Sequence, residues 1–320
     1  QLAGIEPIEL PTDRPRPRIG SLRGGSLPFT IPAAQVAGLN ALARANRATL
    51  HMVLLAAFQT LLMRYSGQQH FAVGTPAAGR GRAELDAIFG MFANMLVMRA
   101  DLSGEPGFAE LLGRVRQTAL DAYSHQELPF ERIVAELNPH REPNRNPLFQ
   151  VAFAMQNVPP TAIELPGVEC SPLASRNDTA KFDLGLSFVE RDGELHGSLR
   201  YAADLFDDAT IERMAGHFRN LVDAILANPQ AKLSALPLMD ARELDRILVQ
   251  WNDTARDYPL HKTLYQFFEE QAARTPHACA VVFEDRQLDY ATLDRDANRL
   301  AHHLRTLGVG PDVVVALCMQ

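Results

Sequence analysis

Cysteine is scarce in this chain of 320 residues: Cys170, Cys279 and Cys318 are all there is, far apart from one another. That spacing favours neither a disulfide frame nor a Cys/His metal site, and each cysteine lies in or near an apolar run. Small buried thiols in a reducing cytosol are therefore expected. No stretch reaches the roughly eighteen consecutive apolar residues that a membrane-spanning helix requires. Blocks of like charge are missing as well: Lys+Arg 31 against Asp+Glu 38 gives a formal net charge of −7 without a basic patch suited to nucleic acid or anionic lipid. Residues 1–5 lack an initiator methionine, a basic n-region and an apolar h-region, so they read as the interior of a longer chain and not as a signal peptide. A G-x-S-x-G elbow is absent, and Ser171, Ser175 and Ser187 have no distinguishing context, which leaves a hydrolase triad unsupported.

What is present is a chain that is 47% hydrophobic, long enough to bury a sizeable core and to hold two domains or one domain and part of another. Pro11, Pro15 and Pro17 make the first segment an extended connector, because each ring fixes φ and removes a donor. From Pro32 the period turns helical, with Val36, Leu39 and Leu42 on one face. Thr49 is placed to cap a second helix through Met52, Leu55, Phe58 and Leu62 that Gly67 stops. Residues 71–74, 95–99 and 149–155 read as strands. Residues 108–123 read as an amphipathic helix with Leu111, Leu112, Val115 and Leu120 inward, and Pro129 opens another helix where its missing N–H costs nothing. Asp192-Gly193 between two alternating runs marks a tight hairpin. A long helix follows from Asp208, with Ile211, Met214, Phe218, Leu221, Val222 and Ile225 on one face. Strands interleaved with helices argue for an α/β sandwich around a mixed sheet.

Beyond residue 233 the character changes to a linker in which Leu236, Leu238, Ile247, Leu248 and Trp251 are expected to pack on their neighbours. A helix–strand–helix pattern then runs from Thr263 to Gly308, and the apolar run at residues 313–318 reads as a buried strand.

Several segments carry chemistry-bearing side chains. The loop at residues 75–82 holds Gly79, Arg80, Gly81 and Arg82, but it lacks both the Gly-Lys-Ser/Thr ending and the G-x-G-x-x-G layout of phosphate loops and is read as a plain loop. His125, Glu127 and Glu131 supply acid–base groups, yet no second His or Cys stands at metal-ligand spacing, and a structural role with Phe130 anchoring a helix start is favoured. Asn94 offers a neutral amide that can bond backbone or substrate amides without being silenced by burial.

In order, Ile88-Phe89-Gly90-Met91-Phe92-Ala93-Asn94-Met95, His125-Gln126-Glu127-Leu128-Pro129-Phe130-Glu131 and Arg141-Glu142-Pro143-Asn144-Arg145-Asn146-Pro147-Leu148 resemble the last three core motifs of nonribosomal peptide synthetase condensation domains. Ala93 and Met95 stand where that pattern usually has Val and Thr. Leu10-Pro11-Thr12-Asp13-Arg14-Pro15-Arg16-Pro17 resembles the segment that follows the family's first lobe, and Trp251-Asn252-Asp253-Thr254 its condensation-to-adenylation linker. Residues 288–293 loosely match the first adenylation core motif, with Asp289 and Thr292 departing from it. The family's catalytic HHxxxDG is not in the chain. His302-His303-Leu304-Arg305-Thr306-Leu307-Gly308 imitates it without the aspartate that holds the catalytic loop, so these are read as ordinary helix histidines.

The resemblance implies a chloramphenicol acetyltransferase-like α/β fold for residues 1–235, the C-terminal lobe of a condensation domain, then a linker at 236–260 and the start of an ANL-type adenylation domain at 261–320. It implies a parent enzyme that joins two carrier-bound aminoacyl thioesters and activates an amino acid with ATP and Mg²⁺, its phosphopantetheine carried on peptidyl carrier domains. This stretch itself would bind no cofactor or metal and would be inactive alone. Partners would be carrier domains, the upstream lobe and the rest of the adenylation domain, in the cytoplasm, without nucleic acid or membrane. Asn94 is the substrate-channel candidate. Gly90, Phe92, Arg99, His125, Gln126, Glu127, Pro129, Phe130, Glu131, Arg145, Asn146 and Pro147 are motif residues expected to be structural. A free-standing acyltransferase using His125, which would then face a cavity, and a non-catalytic carrier-binding module are the alternatives.

Overall fold

The computed structural model describes residues 2–81, 83–85, 87–137, 144–156 and 178–318. Cys170, Ser171, Ser175 and the Arg141-Glu142-Pro143 part of the third motif lie outside them. The chain divides into two compact units, Gln1–Gln250 and Trp251–Gln320.

The first unit runs β1 (Gly24–Ile31), α1 (Ala33–Ala45), α2 (Leu50–Ser66), β2 (His70–Ala77), β3 (Asn94–Asp101), α3 (Phe108–Ser124), α4 (Phe130–Leu137), β4 (Val151–Gln156), β5 (Leu184–Arg191), β6 (Glu194–Ala202), α5 (Asp208–Ala227) and α6 (Ala241–Leu248). Among the described residues its six strands form one mixed sheet in the order β1-β6-β5-β4-β2-β3. The β2–β4 and β4–β5 pairs are parallel and the rest antiparallel. Alternation along the strands sends Val73, Met98, Val151, Phe153, Leu186, Phe188 and Leu199 into the main core with α1, α2, α3 and α5. The smaller cluster of Ala72, Val97 and Phe149, capped by Met95 and Phe130, lies on the other face.

Local signals act as expected at several points. The Thr49 side chain accepts from Met52 N, and Gly67 closes α2 at φ 73. Asp192 (φ 53) and Gly193 (φ 78) form the β5–β6 turn. The proline connector is extended but pinned: Arg16 forks onto Asp183, Asp13 accepts from Asp207 N and Thr210 Oγ1, and Ile8 is buried with its N–H on Gln150.

Three expectations need correction. Leu120 is 43% exposed, because at 100° per residue it stands opposite Leu111, and Ala119 takes the inward place. In the linker Leu236 is buried and Leu238 packs on the core as expected, whereas Leu248 and Trp251 are exposed. Residues 313–318 form no strand and are exposed; an apolar run becomes a strand only where a neighbour supplies its ladder.

In the second unit, α7 (Leu264–Arg274) starts at a Thr263/Gln266 capping box, β7 (Cys279–Phe283) pairs antiparallel with β8 (Arg286–Asp289), and α8 (Tyr290–Thr306) is capped by Asp289. Cys279 and Cys318 are exposed, against the buried thiols expected. Val282 and Phe283, consecutive in β7 and so on opposite faces of the ribbon, are also exposed.

Candidate functional site

The first two motifs meet at the start of β3. The Asn94 Nδ2 donates to the carbonyls of Gln126 (3.0 Å) and Leu128 (2.7 Å), while its Oδ1 accepts from Phe130 N (3.1 Å) and from Met95 N (2.9 Å). An amide has two donor hydrogens and two acceptor lone pairs, so its capacity is filled by the backbone of the second motif and its own strand. Pro129 leaves Phe130 as the first helical residue, and the Phe130 ring packs at 5.3 Å on Phe149. Phe149 in turn lies over Gly74, where a Cβ would come within 2.1 Å of the ring.

The opposite wall is held by Arg80, one of the two arginines in the loop read as plain. Its guanidinium donates to the carbonyls of Leu85, Ile88 (3.1 Å) and Gly90 (3.2 Å) and sits 4.5 Å over the Phe92 ring. Only the glycine–arginine spacing hints at this role; that the partners are carbonyls of its own loop cannot be read from it. Between the walls lies a cleft of about 720 Å³ lined by residues including Gly79, Phe92, Asn94, Gln126, Glu127, Pro129 and Glu131. Phe89 and Met91 stand fully exposed on the same loop.

His125 is not in this cleft's lining; it lines a second cleft of about 1190 Å³ along β3, α3 and α4 with Arg99 and Leu128. Its Nδ1 is 2.9 Å from both the Asp121 carbonyl and Ser124 Oγ. The carbonyl can only accept, so this bond places a hydrogen on Nδ1. Arg99 donates to Ala3 O at 3.4 Å.

The described residues of the third motif form a knot outside the cleft lining. Arg145 pairs with Glu9 (2.8 Å), Asn144 donates to Pro17 O (2.5 Å) and Asn146 to Lys181 O (2.6 Å), and the Pro147 carbonyl accepts from Phe149 N (2.8 Å). It ties the connector to the entrance of β5. His302 and His303 are exposed on α8, in the second unit.

One half-buried group carries no mark in the sequence. His51, at the start of α2, touches Thr75 Oγ1 through Nε2 (3.3 Å), and Thr75 donates to Phe153 O (2.7 Å). Its buried Nδ1 has no hydrogen-bond partner among the described residues, and desolvation lowers its pKa from 6.5 to about 4. A histidine on a helix's apolar side carries no periodic mark that separates it from a surface one.

A mixed sheet with helices layered on one face and a motif-walled cleft at its edge strand make the first unit an α/β condensation-type lobe. The chain belongs to the Condensation domain family, whose model matches residues 1–248, and residues 268–320 match the model of the AMP-binding enzyme family. Over its whole length it is 45% identical to a linear gramicidin synthase of Brevibacillus parabrevis and 43% identical to chondramide synthase cmdD of Chondromyces crocatus. It spans 4% and 8% of those proteins, respectively. Among solved structures, a four-domain nonribosomal peptide synthetase bound to AMP and glycine aligns with 96% of this chain and 24% of its own (TM-score 0.79, 23% identity), which bears on the fold. The X-domain from teicoplanin biosynthesis aligns with 74% of this chain and 55% of its own (TM-score 0.70, 30% identity).

Proposed function

We propose that this chain is the acceptor-side part of an amide-forming module. Residues 1–235 would be the C-terminal lobe of a condensation domain, 236–260 its linker and 261–320 the opening of an adenylation domain. The reaction joins two aminoacyl groups held as thioesters on carrier domains: the amine of one attacks the thioester carbonyl of the other, an amide forms and a thiol leaves. In this reading the lobe supplies half of the channel wall, and the acid–base histidine comes from a partner lobe carrying HHxxxDG. The rate arises mainly from holding amine and thioester together.

The observation that supports this best is the bonding of Asn94 to the second motif beside the cleft. With its amide saturated, Asn94 would act on substrate by fixing the channel wall. Phosphopantetheine, ATP and Mg²⁺ belong to the parent enzyme, and a cytoplasmic setting fits a chain in which no described helix is long and apolar enough to cross a membrane. The test is to join residues 1–235 to a lobe carrying HHxxxDG and follow two carrier-bound aminoacyl thioesters in a single-turnover assay. Dipeptidyl thioester is expected. A folded assembly that binds both carriers but yields none would overturn the proposal.

A further inference from the structure

The strongest polar chain outside the cleft joins α2, α5 and α6. Tyr65 Oη is 2.7 Å from His217 Nδ1, and His217 Nε2 is 2.6 Å from Glu243 Oε2. The pair is well covered, with side-chain exposures of 12% for His217 and 26% for Glu243. Burial and the nearby Glu243 push the Tyr65 hydroxyl up to about 12, against a smaller opposing effect of Arg213. The phenol therefore keeps its proton, and because the Glu243 carboxylate can only accept, the hydrogen of that bond sits on Nε2. Just before α6, Arg64 donates to the carbonyls of Leu233 (3.1 Å) and Leu236 (2.8 Å), and Asn220 to that of Leu238 (2.7 Å).

Helix α6 needs such an anchor. It has eight residues, too few to persist alone in water, and none of them is buried. Leu244 and Leu248 are 38% and 65% exposed, so apolar burial does little to hold it. Its first turn is held by the Asp240 cap, accepting from Glu243 N at 2.8 Å, and by the Glu243–His217 bond.

We propose that residues 233–248 are a clasp on the first unit, with His217 as the positioning residue that locks α6 to the body through Glu243. The first half of the linker is then a fixed arm, and chain freedom begins only after α6.

Hydrogen exchange on the intact chain tests this. In the unaltered protein the amides of Leu244 and Val249, bonded to the Asp240 and Asp245 carbonyls, are expected to exchange at least about tenfold more slowly than those at 253–257. Glu243→Ala should erase that protection while leaving the β2 and β4 amides unchanged, since Glu243 is outside the core. Glu243→Gln keeps an acceptor for Nε2–H and should stay within about threefold of the unaltered chain. Fast exchange of α6 in the unaltered chain, or retained protection in Glu243→Ala, overturns the clasp.

Discussion

Asn94 shows how one side chain can give a motif its place. Its amide reaches across 32 to 36 positions of sequence to hold three backbone groups of the second motif. Asn94→Ala should therefore unbind that loop and lower stability by about 2 kcal/mol, the scale of lost partially buried hydrogen bonds, with exchange at residues 126–130 rising first. Asn94→Asp keeps the acceptor but loses both donors, and equal damage from the two would show that the donors matter most. His51 acts on stability through pH. The fold holds the neutral imidazole and the unfolded chain does not, so between pH 6.5 and about 4 the unfolded state binds the extra proton. Stability is full above 6.5 and falls as pH drops toward 4, by about 3 kcal/mol at most. In urea titrations at pH 7 and pH 4.5, His51→Phe should remove most of this dependence; an unchanged pH response would place the proton elsewhere.

At the scale of elements, legibility follows local determinism. The β5–β6 hairpin is readable because Asp192-Gly193 dictates its turn, and α2 because Thr49 and Gly67 mark both ends. Strand β1 is not, since Pro28 interrupts the pattern; it is tolerated because, among the described residues, β1 is an edge strand paired only with β6. Pairing between distant segments is equally silent. The motif order announces a family, but that Asn94 binds the second motif, or that the third fastens the connector instead of lining the cleft, depends on tertiary placement. Gly74 is one tight joint of this kind, and Gly74→Ala would drive a methyl into Phe149. A loss of about 1–3 kcal/mol is expected, restored in part by Phe149→Leu in the double variant. Full additivity of the two would contradict the contact.

At the scale of the whole molecule, the two units divide the parent chemistry unevenly. The second unit spans 70 residues of ribbon and helix and contains no glycine-rich phosphate loop, so the chain alone should show no amino-acid-dependent ATP–pyrophosphate exchange. The first unit has a formed core and the motif-walled cleft, and three of its histidines are placed for other tasks: His125 on a main-chain carbonyl, His217 on α6, and His51 held neutral by desolvation. On the proposed reading the reacting histidine therefore belongs to a lobe outside this chain. The most direct measurement is single-turnover dipeptide formation by the assembled domain, extended through residue 320, with His302 and His303 both changed to alanine and, separately, with the second histidine of HHxxxDG changed in the joined lobe. The first variant is expected to keep turnover within about threefold, under 1 kcal/mol of barrier, and the second to abolish it. Loss of turnover in the His302/His303 variant with its fold intact would contradict that assignment.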